Sequence, residues 1–411
     1  MAQINITLNQ EEIIEVLSKN RDEAFKMIVQ KILNQIMLAE SREQLQAEPY
    51  ERSESRTDSR NGMRERNLTT RIGQITLQVP RHRNVPFKSM IFDNYSRSEA
   101  ALIASMVEMV IAGISTRKVT KVTELLCGKS FSKSMVSELC KSLDEIVSEF
   151  QNRRLDTYYP FLITDATYFK VRENHRVVSK AFMIAMGIRE DGIKEIIGFG
   201  VYDSENKGSW EQFYRSLVKR GLQKPKMITS DAHQGEKQGI GTVFPTVAWQ
   251  RCQVHFRKNI LDNMPRQYMA GLGAELTEMF QAETIEEARR IKNEIVADYS
   301  DVAEGAMDIL EDGFEDAMTV MALPKSMRMA LRSSNHLERQ NGELRARGKI
   351  IKLFPNEASL NRLMGAVLME IHDAMITRTQ GIFPKRSYER MELDSEEKLI
   401  QIAEVQHLNA A

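Results

Sequence analysis

The chain has 411 residues, of which 42% are hydrophobic and 28% are charged. These fractions are typical of globular proteins and exclude a disordered or fibrous chain. The length predicts several domains, because one domain usually takes about 100–200 residues. The formal net charge is zero, so an argument for nucleic-acid binding has to rest on local charge.

The cellular compartment can be predicted from three features that the sequence lacks: a disulfide framework, a membrane span and a signal peptide. Its three cysteines, Cys127, Cys140 and Cys252, are too few and too scattered for a disulfide framework. The longest apolar run, residues 100–114, contains Glu108 and is too short to cross a bilayer, and the N-terminus has no signal-peptide pattern. We therefore expect a cytoplasmic protein without a membrane partner.

Residues 1–99 carry two different periodicities. In the first segment, 1–59, apolar side chains recur at helical spacing from about Gln10 to Gln46, which predicts one or two amphipathic helices. In the second, 60–99, apolar and polar residues alternate around Gly73, which predicts a β-hairpin. Its basic residues suggest DNA-phosphate binding, although scattered surface charge is the alternative. The candidates are Arg60, Arg71, Arg81 and Arg83.

Residues 100–150 return to helical periodicity. One helix is predicted over 115–127 and a second over 133–150, separated by a glycine-containing turn. Such a pair is either ordinary helical packing or a DNA-binding helix-turn-helix. In the second case, the residues that face the DNA groove are Lys133, Ser134 and Ser137.

Residues 151–261 contain the clearest succession of elements. Five strands are predicted, over 160–171, 179–188, 195–202, 226–230 and 246–254. A helix that Ser209 caps separates the third strand from the fourth, and a shorter helix separates the fourth from the fifth. Three meandering strands followed by α/β crossovers are the order of the ribonuclease H-like fold, which is our prediction for this catalytic domain.

Two acidic residues stand at informative places in these strands. Asp165 interrupts an otherwise apolar strand, where an ionised carboxylate is costly unless a partner compensates it. Asp231 follows the fourth strand, which in this fold lies beside the first, so the two carboxylates are expected close together. Oxygen ligands favour Mg²⁺ or Mn²⁺. Two such ions per active site activate the attacking oxygen and stabilise the leaving oxygen in displacement at phosphorus.

A third carboxylate is expected after an all-helical insertion at 262–323. The catalytic domain resumes at 324–385 with a basic run, and 386–411 is predicted to be a C-terminal tail. Glu338 lies in this run, beside Arg339. From residue types alone the two are either part of the site or a solvated surface pair.

The helix that carries Glu338 is predicted to begin at a serine cap, Ser333 or Ser334. Asn335 and Asn341 lie on roughly the same helical face as Glu338. Basic residues that follow on this helix and its loop are expected to contact the scissile DNA, and they are Arg345, Arg347 and Lys349.

Several runs of this sequence resemble the Mutator-type transposases of bacterial insertion sequences, a family of DDE transposases. They are Ile163-Thr164-Asp165-Ala166, Ser230-Asp231-Ala232-His233, Trp249-Gln250-Arg251-Cys252-Gln253-Val254-His255 and Asn335-His336-Leu337-Glu338-Arg339-Gln340-Asn341. The arginine-rich region and the helix-turn-helix also resemble those of the family. The match covers nearly the whole chain, and the order of the motifs is specific.

The resemblance implies a ribonuclease H-like catalytic domain whose acids are Asp165, Asp231 and Glu338, with the last acid after an all-helical insertion. It implies divalent-metal-dependent cleavage and joining of DNA at terminal inverted repeats, without ATP. The partners would be these repeats and target DNA. Because two DNA ends must be paired, a homodimer is the smallest assembly expected.

Smaller motifs leave alternatives open. Cys252 and His255 have zinc-like spacing, but a closed zinc site needs four ligands and no second pair is suitably spaced. The alternative is a strand-end cysteine with His255 near a phosphate or carboxylate, and the family has this pair near the active site. His233 is expected to orient a group or contact DNA. Trp210 and Trp249 either stack on bases or fill the core, and the core is favoured.

Three functions are consistent with these features. The first is a transposase of an insertion sequence. The second is a domesticated DNA-binding protein that no longer cuts, although such a protein has no physical reason to keep three clustered acids. The third is a hydrolytic nuclease of the same fold without strand transfer, which the N-terminal modules and the insertion disfavour.

Overall fold

The computed structural model describes residues 21–49, 51, 56–70, 73–89, 104–127, 136–137, 139–391 and 393–408. The chain divides into two compact units, Met1–Lys141 and Ser142–Ala411. Three of the predicted DNA-binding residues, Arg71, Lys133 and Ser134, lie outside the described residues. Among the described residues, none of the helices combines the length and the apolar character needed to cross a membrane.

The first unit contains a helix packed on a hairpin. Helix α1 (Arg21–Leu45) precedes strands β1 (Arg60–Thr70) and β2 (Gly73–His82), which pair antiparallel. The alternation along β2 turns its apolar residues to one face, where they pack with Met37 of α1. These side chains are Ile75, Leu77 and Val79. The predicted hairpin is confirmed, and both strands extend further than the alternating pattern around Gly73.

The arginines of this hairpin differ in their surroundings. Arg81 and Arg83 are exposed. Arg60 donates hydrogen bonds to the carbonyl oxygens of Glu48 and Ala47, at 3.0 and 2.6 Å. Part of the donor capacity of Arg60 is therefore used to hold the segment that follows α1.

The helices before and after residue 115 form a small core in the first unit. A helix over 104–111 and helix α2 (Thr116–Cys127) bury Met106 and Val119 with Val136. Ser115 caps α2 as predicted, because its Oγ accepts the Lys118 N–H at 3.4 Å. Ser137 is helical and exposed.

The prediction of one continuous helix over 133–150 is wrong. A 3₁₀ turn, Cys140–Ser142, interrupts it, and helix α3 (Leu143–Asn152) follows. The two halves belong to different cores, which accounts for the break. Val136 packs in the first unit, whereas Val147 lies against Gly365 in the second.

The second unit is built on a five-stranded mixed sheet. Its strands are β3 (Phe161–Glu173), β4 (Arg176–Ile188), β5 (Lys194–Tyr202), β6 (Met227–Ser230) and β7 (Ala248–Arg251). Their spatial order is β5-β4-β3-β6-β7. The pairs β5–β4 and β4–β3 are antiparallel, and the pairs β3–β6 and β6–β7 are parallel. The strand that precedes Asp231 therefore lies directly beside the strand that carries Asp165.

Helices α4 (Lys207–Lys219) and α5 (Gln234–Val243) follow β5 and β6. The first is capped by Asn206, whose Oδ1 accepts the Ser209 N–H at 2.9 Å, so the predicted cap at Ser209 is wrong. Asparagine precedes the first helical residue here and is one of the strongest N-caps. Trp210 and Trp249 are 0% and 2% exposed and share one core cluster, which excludes base stacking by either ring.

A group of helices lies between β7 and the basic run. It comprises α6 (Gln253–Asp262), α7 (Met269–Gln281), α8 (Ile285–Tyr299) and α9 (Glu304–Met318). These helices enclose a hydrophobic core of their own, with Leu276, Ile295 and Leu310 fully or almost fully buried. The predicted fifth strand is shorter than expected, because the Phe256 N–H already bonds the Cys252 carbonyl and starts α6.

Five helices complete the unit: α10 (Lys325–Leu331), α11 (Asn335–Ile351), α12 (Glu357–Ile376), α13 (Lys385–Glu389) and α14 (Leu393–Leu408). Residues 393–408 are thus a packed helix rather than a tail. Gln406 donates to the Trp249 carbonyl at 2.7 Å and accepts the Trp249 N–H at 2.9 Å. Because β7 is an edge strand, its outer backbone groups need partners: Gln406 pairs with the Trp249 N–H and shares the Trp249 carbonyl with the Thr319 hydroxyl, which donates to it at 3.0 Å.

Helix α11 packs along β3. Asn341 contacts Asp165, Gly348 lies against the Phe169 ring, and Phe354 beyond the helix pairs with Val171. A Cβ on Gly348 would come within 2.6 Å of the Phe169 ring. The absence of a side chain at this position therefore sets how closely α11 approaches the sheet.

This close approach gives a stability prediction. Gly348→Ala should destabilise the protein by about 1–3 kcal/mol, because the added methyl group overpacks the contact with Phe169. Gly342→Ala is a matched control in the same helix, since a Cβ there meets nothing within 4 Å. It should leave stability unchanged or raise it by up to about 1 kcal/mol through helix propensity. Thermal unfolding measures both, and equal melting temperatures would contradict the packing.

Candidate active site

The sheet brings the two predicted aspartates together. Asp165 lies within β3, and its Oδ1 accepts the Ala166 N–H at 2.8 Å while its Oδ2 accepts Asn341 Nδ2 at 2.6 Å. Asp231 directly follows β6, and its Oδ1 accepts the Ser334 hydroxyl at 3.1 Å. Helix α11 therefore binds both carboxylates, one through Asn341 within the helix and the other through its N-cap residue, Ser334.

Glu338 lies between these two contacts in the helix. It follows Ser334 by four residues and precedes Asn341 by three, so the three side chains project from one face of α11. The Glu338 side chain is exposed, at the edge of this face. Ser334 occupies the N-cap position as predicted, but its side chain makes no capping bond, and its hydroxyl donates to Asp231 and Cys252 instead.

The three predicted acids are not equally close to one another. Among the described residues, the metal-ligating atoms that converge within 4.8 Å are those of Asp231, Cys252 and His255. Asp165 and Glu338 do not join that group. The arrangement therefore joins Asp165 and Asp231 through α11, and it leaves the Glu338 carboxylate at the solvent side.

The electrostatic environment of Asp165 is unfavourable for a free carboxylate. Burial and the negative charge of Asp231 raise its pKa to about 7, and this rise outweighs the hydrogen bonds from Ala166 and Asn341. A carboxyl group in this state needs either a proton or a cation. The carboxylate oxygens of Asp165 and Asp231 are of the kind that suits a hard divalent ion.

His255 and Cys252 flank Asp231. His255 Nδ1 lies 2.6 Å from Asp231 Oδ1, and this contact, together with Cys252, raises the pKa of His255 to about 10. Burial raises the pKa of Cys252, but bonds from His255 and Ser334 more than offset it, so the net shift is downward. Cys252 is fully buried directly after β7, as expected for a strand-end cysteine, and it precedes the first residue of α6, whereas His255 lies in the first turn of that helix. The expected proximity of His255 to a carboxylate is confirmed.

A buried network behind Asp165 was not anticipated from the sequence. Glu236, the third residue of α5, is fully buried, and its Oε1 accepts hydroxyl groups from Thr164 at 2.6 Å and Tyr214 at 2.9 Å. Burial raises its pKa well above the ordinary value. The signal available in the sequence was a glutamate five positions after Asp231, between glycines at positions 235 and 239.

The remaining predicted residues lie around the site to different degrees. His233, Asn335 and Arg339 are exposed. Arg345 and Lys349 follow Asn341 by four and eight residues and lie in the same row of exposed side chains as Glu338. We call this row, which runs along β3, the Glu338 edge of α11. Both side chains are exposed. Arg347 projects from another part of the helix and approaches Glu343 at 3.9 Å.

A second basic group was missed by sequence reasoning. Lys194 Nζ lies 3.3 Å from His336 Nδ1, and burial with the charges of Arg378 and Arg339 lowers the pKa of Lys194. Burial and Lys194 lower the pKa of His336 to about 4, so its ring is neutral and can accept from the ammonium group. These residues come from elements far apart in sequence, which is why no local pattern revealed them.

Comparison with known proteins identifies relatives that match most of the chain. The model of the family described as "Transposase, Mutator family" matches residues 1–378. The transposase for insertion sequence element IS256 in transposon Tn4001 of Staphylococcus aureus is 45% identical over 380 residues, covering 92% of this chain and 97% of that protein.

More distant relatives show the same relationship. The transposase for insertion sequence element ISRM5 of Rhizobium meliloti is 36% identical over 359 residues, covering 87% of this chain and 90% of its own length. That of IS1081 from Mycobacterium tuberculosis is 35% identical over 328 residues, or 79% of each chain. The resemblance found in the motifs is confirmed, and the chain belongs to the Mutator family of transposases.

Proposed function

We propose that this protein is the transposase of a bacterial insertion sequence, and that it cleaves and joins DNA with a DDE triad of Asp165, Asp231 and Glu338 on a ribonuclease H-like domain. The observation that carries the proposal is the attachment of α11 to both aspartates. Asn341 holds one carboxylate and Ser334 the other, and Glu338 lies between them on the same helical face.

The residues of the site suit two Mg²⁺ or Mn²⁺ ions. Asp165 and Asp231 would hold them, with Glu338 as the third acidic ligand from the helix. Bound there, the ions would supply activation of the attacking oxygen and stabilisation of the leaving oxygen. The protein supplies orientation: Asn341 and Ser334 fix the aspartate carboxylates, and the buried Glu236 network anchors β3 at Thr164.

DNA binding is proposed for two parts of the chain. The first unit would contact the terminal inverted repeats through its hairpin arginines and a helix-turn-helix. In the second unit, the Glu338 edge of α11 would follow the DNA backbone with Arg345 and Lys349. A homodimer would pair two DNA ends, and target DNA would be the second substrate.

The direct test is strand joining. A labelled, pre-cleaved terminal repeat is incubated with plasmid DNA and Mg²⁺ or Mn²⁺, and we expect covalent joined products that chelation of the metal abolishes. Plasmid cleavage without joining would instead support a hydrolytic nuclease. Binding of the repeat without either reaction would support a domesticated DNA-binding protein.

The proposed DNA path predicts a change in salt dependence. Replacing both Arg345 and Lys349 by Gln should weaken DNA binding and lower the slope of log affinity against log salt by about 2, because each lost phosphate contact removes about one released counterion. Arg290→Gln is the control, since Arg290 is paired with Glu294 at 2.7 Å in the helical insertion. Fluorescence anisotropy from 50 to 200 mM salt measures the slope, and an unchanged slope would remove this edge from the interface.

A further inference from the structure

The amide of Asn341 has an unusual environment. Its side chain is fully buried, and Nδ2 donates to Asp165 Oδ2 at 2.6 Å. The other amide atom, Oδ1, is buried without a hydrogen-bond partner. A buried carbonyl oxygen that stays unpaired costs free energy, so a native structure normally gives it a role or a partner.

The bond to Asp165 is the contact that orients this amide. A half-turn about the last side-chain bond exchanges the positions of Oδ1 and Nδ2. Because Oδ1 has no hydrogen-bond partner, the one bond that this turn breaks is the bond from Nδ2 to Asp165. A cation on the carboxylate would replace the N–H donor and favour the carbonyl oxygen in its place. Coordination of the ion by Oδ1 would therefore replace the hydrogen bond to Asp165 that the turn breaks.

The distance also suits a shared metal ion. Oxygen ligands lie about 2.0–2.1 Å from Mg²⁺ in octahedral geometry, so adjacent ligand atoms are about 2.9 Å apart. The amide atom nearest Asp165 is 2.6 Å from its Oδ2. A small adjustment would let both atoms occupy neighbouring corners of one octahedron.

We propose that Asn341 is a further metal ligand, which turns its amide so that Oδ1 coordinates the ion held by Asp165. The proposal rests on the proposed metal site, and it adds a neutral oxygen donor to the three acids. A neutral oxygen donor would help to bind an ion at the buried Asp165 without placing a further negative charge beside this carboxylate.

The alternative is that Asn341 acts through its N–H group alone and positions the carboxylate. A change of metal preference separates the two. Cysteine at 341 would offer a soft sulfur to the ion, which favours Cd²⁺ over Mg²⁺, whereas alanine offers no donor. Calorimetric titration of the metal-binding site with Mg²⁺ and with Cd²⁺ is the measurement, and it does not depend on activity.

We expect Asn341→Ala to lower Mg²⁺ affinity about tenfold or more, and Asn341→Cys to bind Cd²⁺ at least about tenfold better than Asn341→Ala without recovering Mg²⁺ affinity. Cys252 is present in all variants, so its contribution cancels. Asn293→Ala, at an exposed asparagine of α8 in the helical insertion, is the control and should bind like the wild type.

Equal Cd²⁺ affinity of the cysteine and alanine variants would overturn the proposal. If the alanine variant does not fold, the ratio of Cd²⁺ to Mg²⁺ affinity in the cysteine variant is compared with the wild type, and an unchanged ratio has the same meaning. Wild-type protein that binds neither Mg²⁺ nor Mn²⁺ would refute the metal site itself, and this ligand with it. If the wild type binds the metal ion and Asn341→Ala binds it with the same affinity, the role of Asn341 as a metal ligand is refuted, whereas the metal site itself is not.

Discussion

Asp165→Asn, Asp231→Asn and Glu338→Gln should each reduce strand joining by about 10³-fold or more, because the members of a catalytic set act together. Binding to the terminal repeats should stay within about twofold of the wild type, since none of these acids belongs to the proposed repeat-binding surface. Cleavage and joining are measured with labelled repeats, and binding by anisotropy at one salt concentration.

The exposed position of Glu338 makes its variant the most informative of the three. Glu343→Gln is a matched control, an exposed glutamate in the same helix with an ion-pair contact to Arg347. Full joining activity in Glu338→Gln would mean that another acid completes the site. Loss of repeat binding in either aspartate variant would instead indicate a structural role for that residue.

The second large effect concerns protons and metal ions. Because burial and Asp231 raise the pKa of Asp165 to about 7, this carboxyl group must lose a proton before it binds a metal ion. Metal affinity should therefore fall about tenfold for each pH unit below 7, and level off above it. Calorimetry in buffers of different ionisation enthalpy should show about half a proton released per protein at pH 7 and nearly one at pH 6.

The sign of the stability effect follows from the same pKa. A carboxyl group whose pKa is higher in the folded than in the unfolded protein contributes stability at low pH, and this contribution is lost as pH rises from about 4 to about 7. The metal-free protein should therefore be less stable at pH 8 than at pH 6 by about 1.4 kcal/mol from this group, because most of its contribution is already lost below pH 6, and Mg²⁺ should restore the difference. His255, with a pKa of about 10, keeps its charge over this range.

Asp165→Asn provides the control for this linkage. The variant should be more stable than the wild type at pH 8 without metal, and Mg²⁺ should stabilise it much less. Proton release should disappear in the variant. Thermal unfolding at pH 6 and 8, with and without Mg²⁺, checks both statements, and a wild-type melting temperature that rises with pH without metal would contradict them.

The parts of the site that could be predicted share a feature of sequence. Asp165 interrupts an apolar strand and Asp231 ends another, so burial cost and strand order together predicted their proximity. The N-terminal hairpin could be predicted for the same reason, since alternating side chains record which face is buried. Glu338 was placed on a helix with Asn341 by periodicity, and both lie in α11.

What could not be predicted depends on contacts between distant residues. The pattern of 246–254 favoured a strand to the end, yet α6 begins at Gln253 because the Cys252 carbonyl is free to accept the first helical bond. Ser334 fits a capping role by sequence, but in the fold its hydroxyl donates to Asp231 and Cys252, which are distant in sequence. The protection of β7 by Gln406 and the pairing of Lys194 with His336 have no local signature at all.

The two contacts that α11 makes with the aspartates also determine when the protein becomes capable of cutting DNA. They join residues 176 and 103 positions apart, Asn341 with Asp165 and Ser334 with Asp231. Synthesis proceeds from the N-terminus, so the sheet with both aspartates can form while the third acid is still untranslated. In the proposed mechanism, catalytic competence is therefore a late event in the life of each chain, and a polypeptide that terminates before α11 would carry the proposed DNA-binding unit without the proposed third acid.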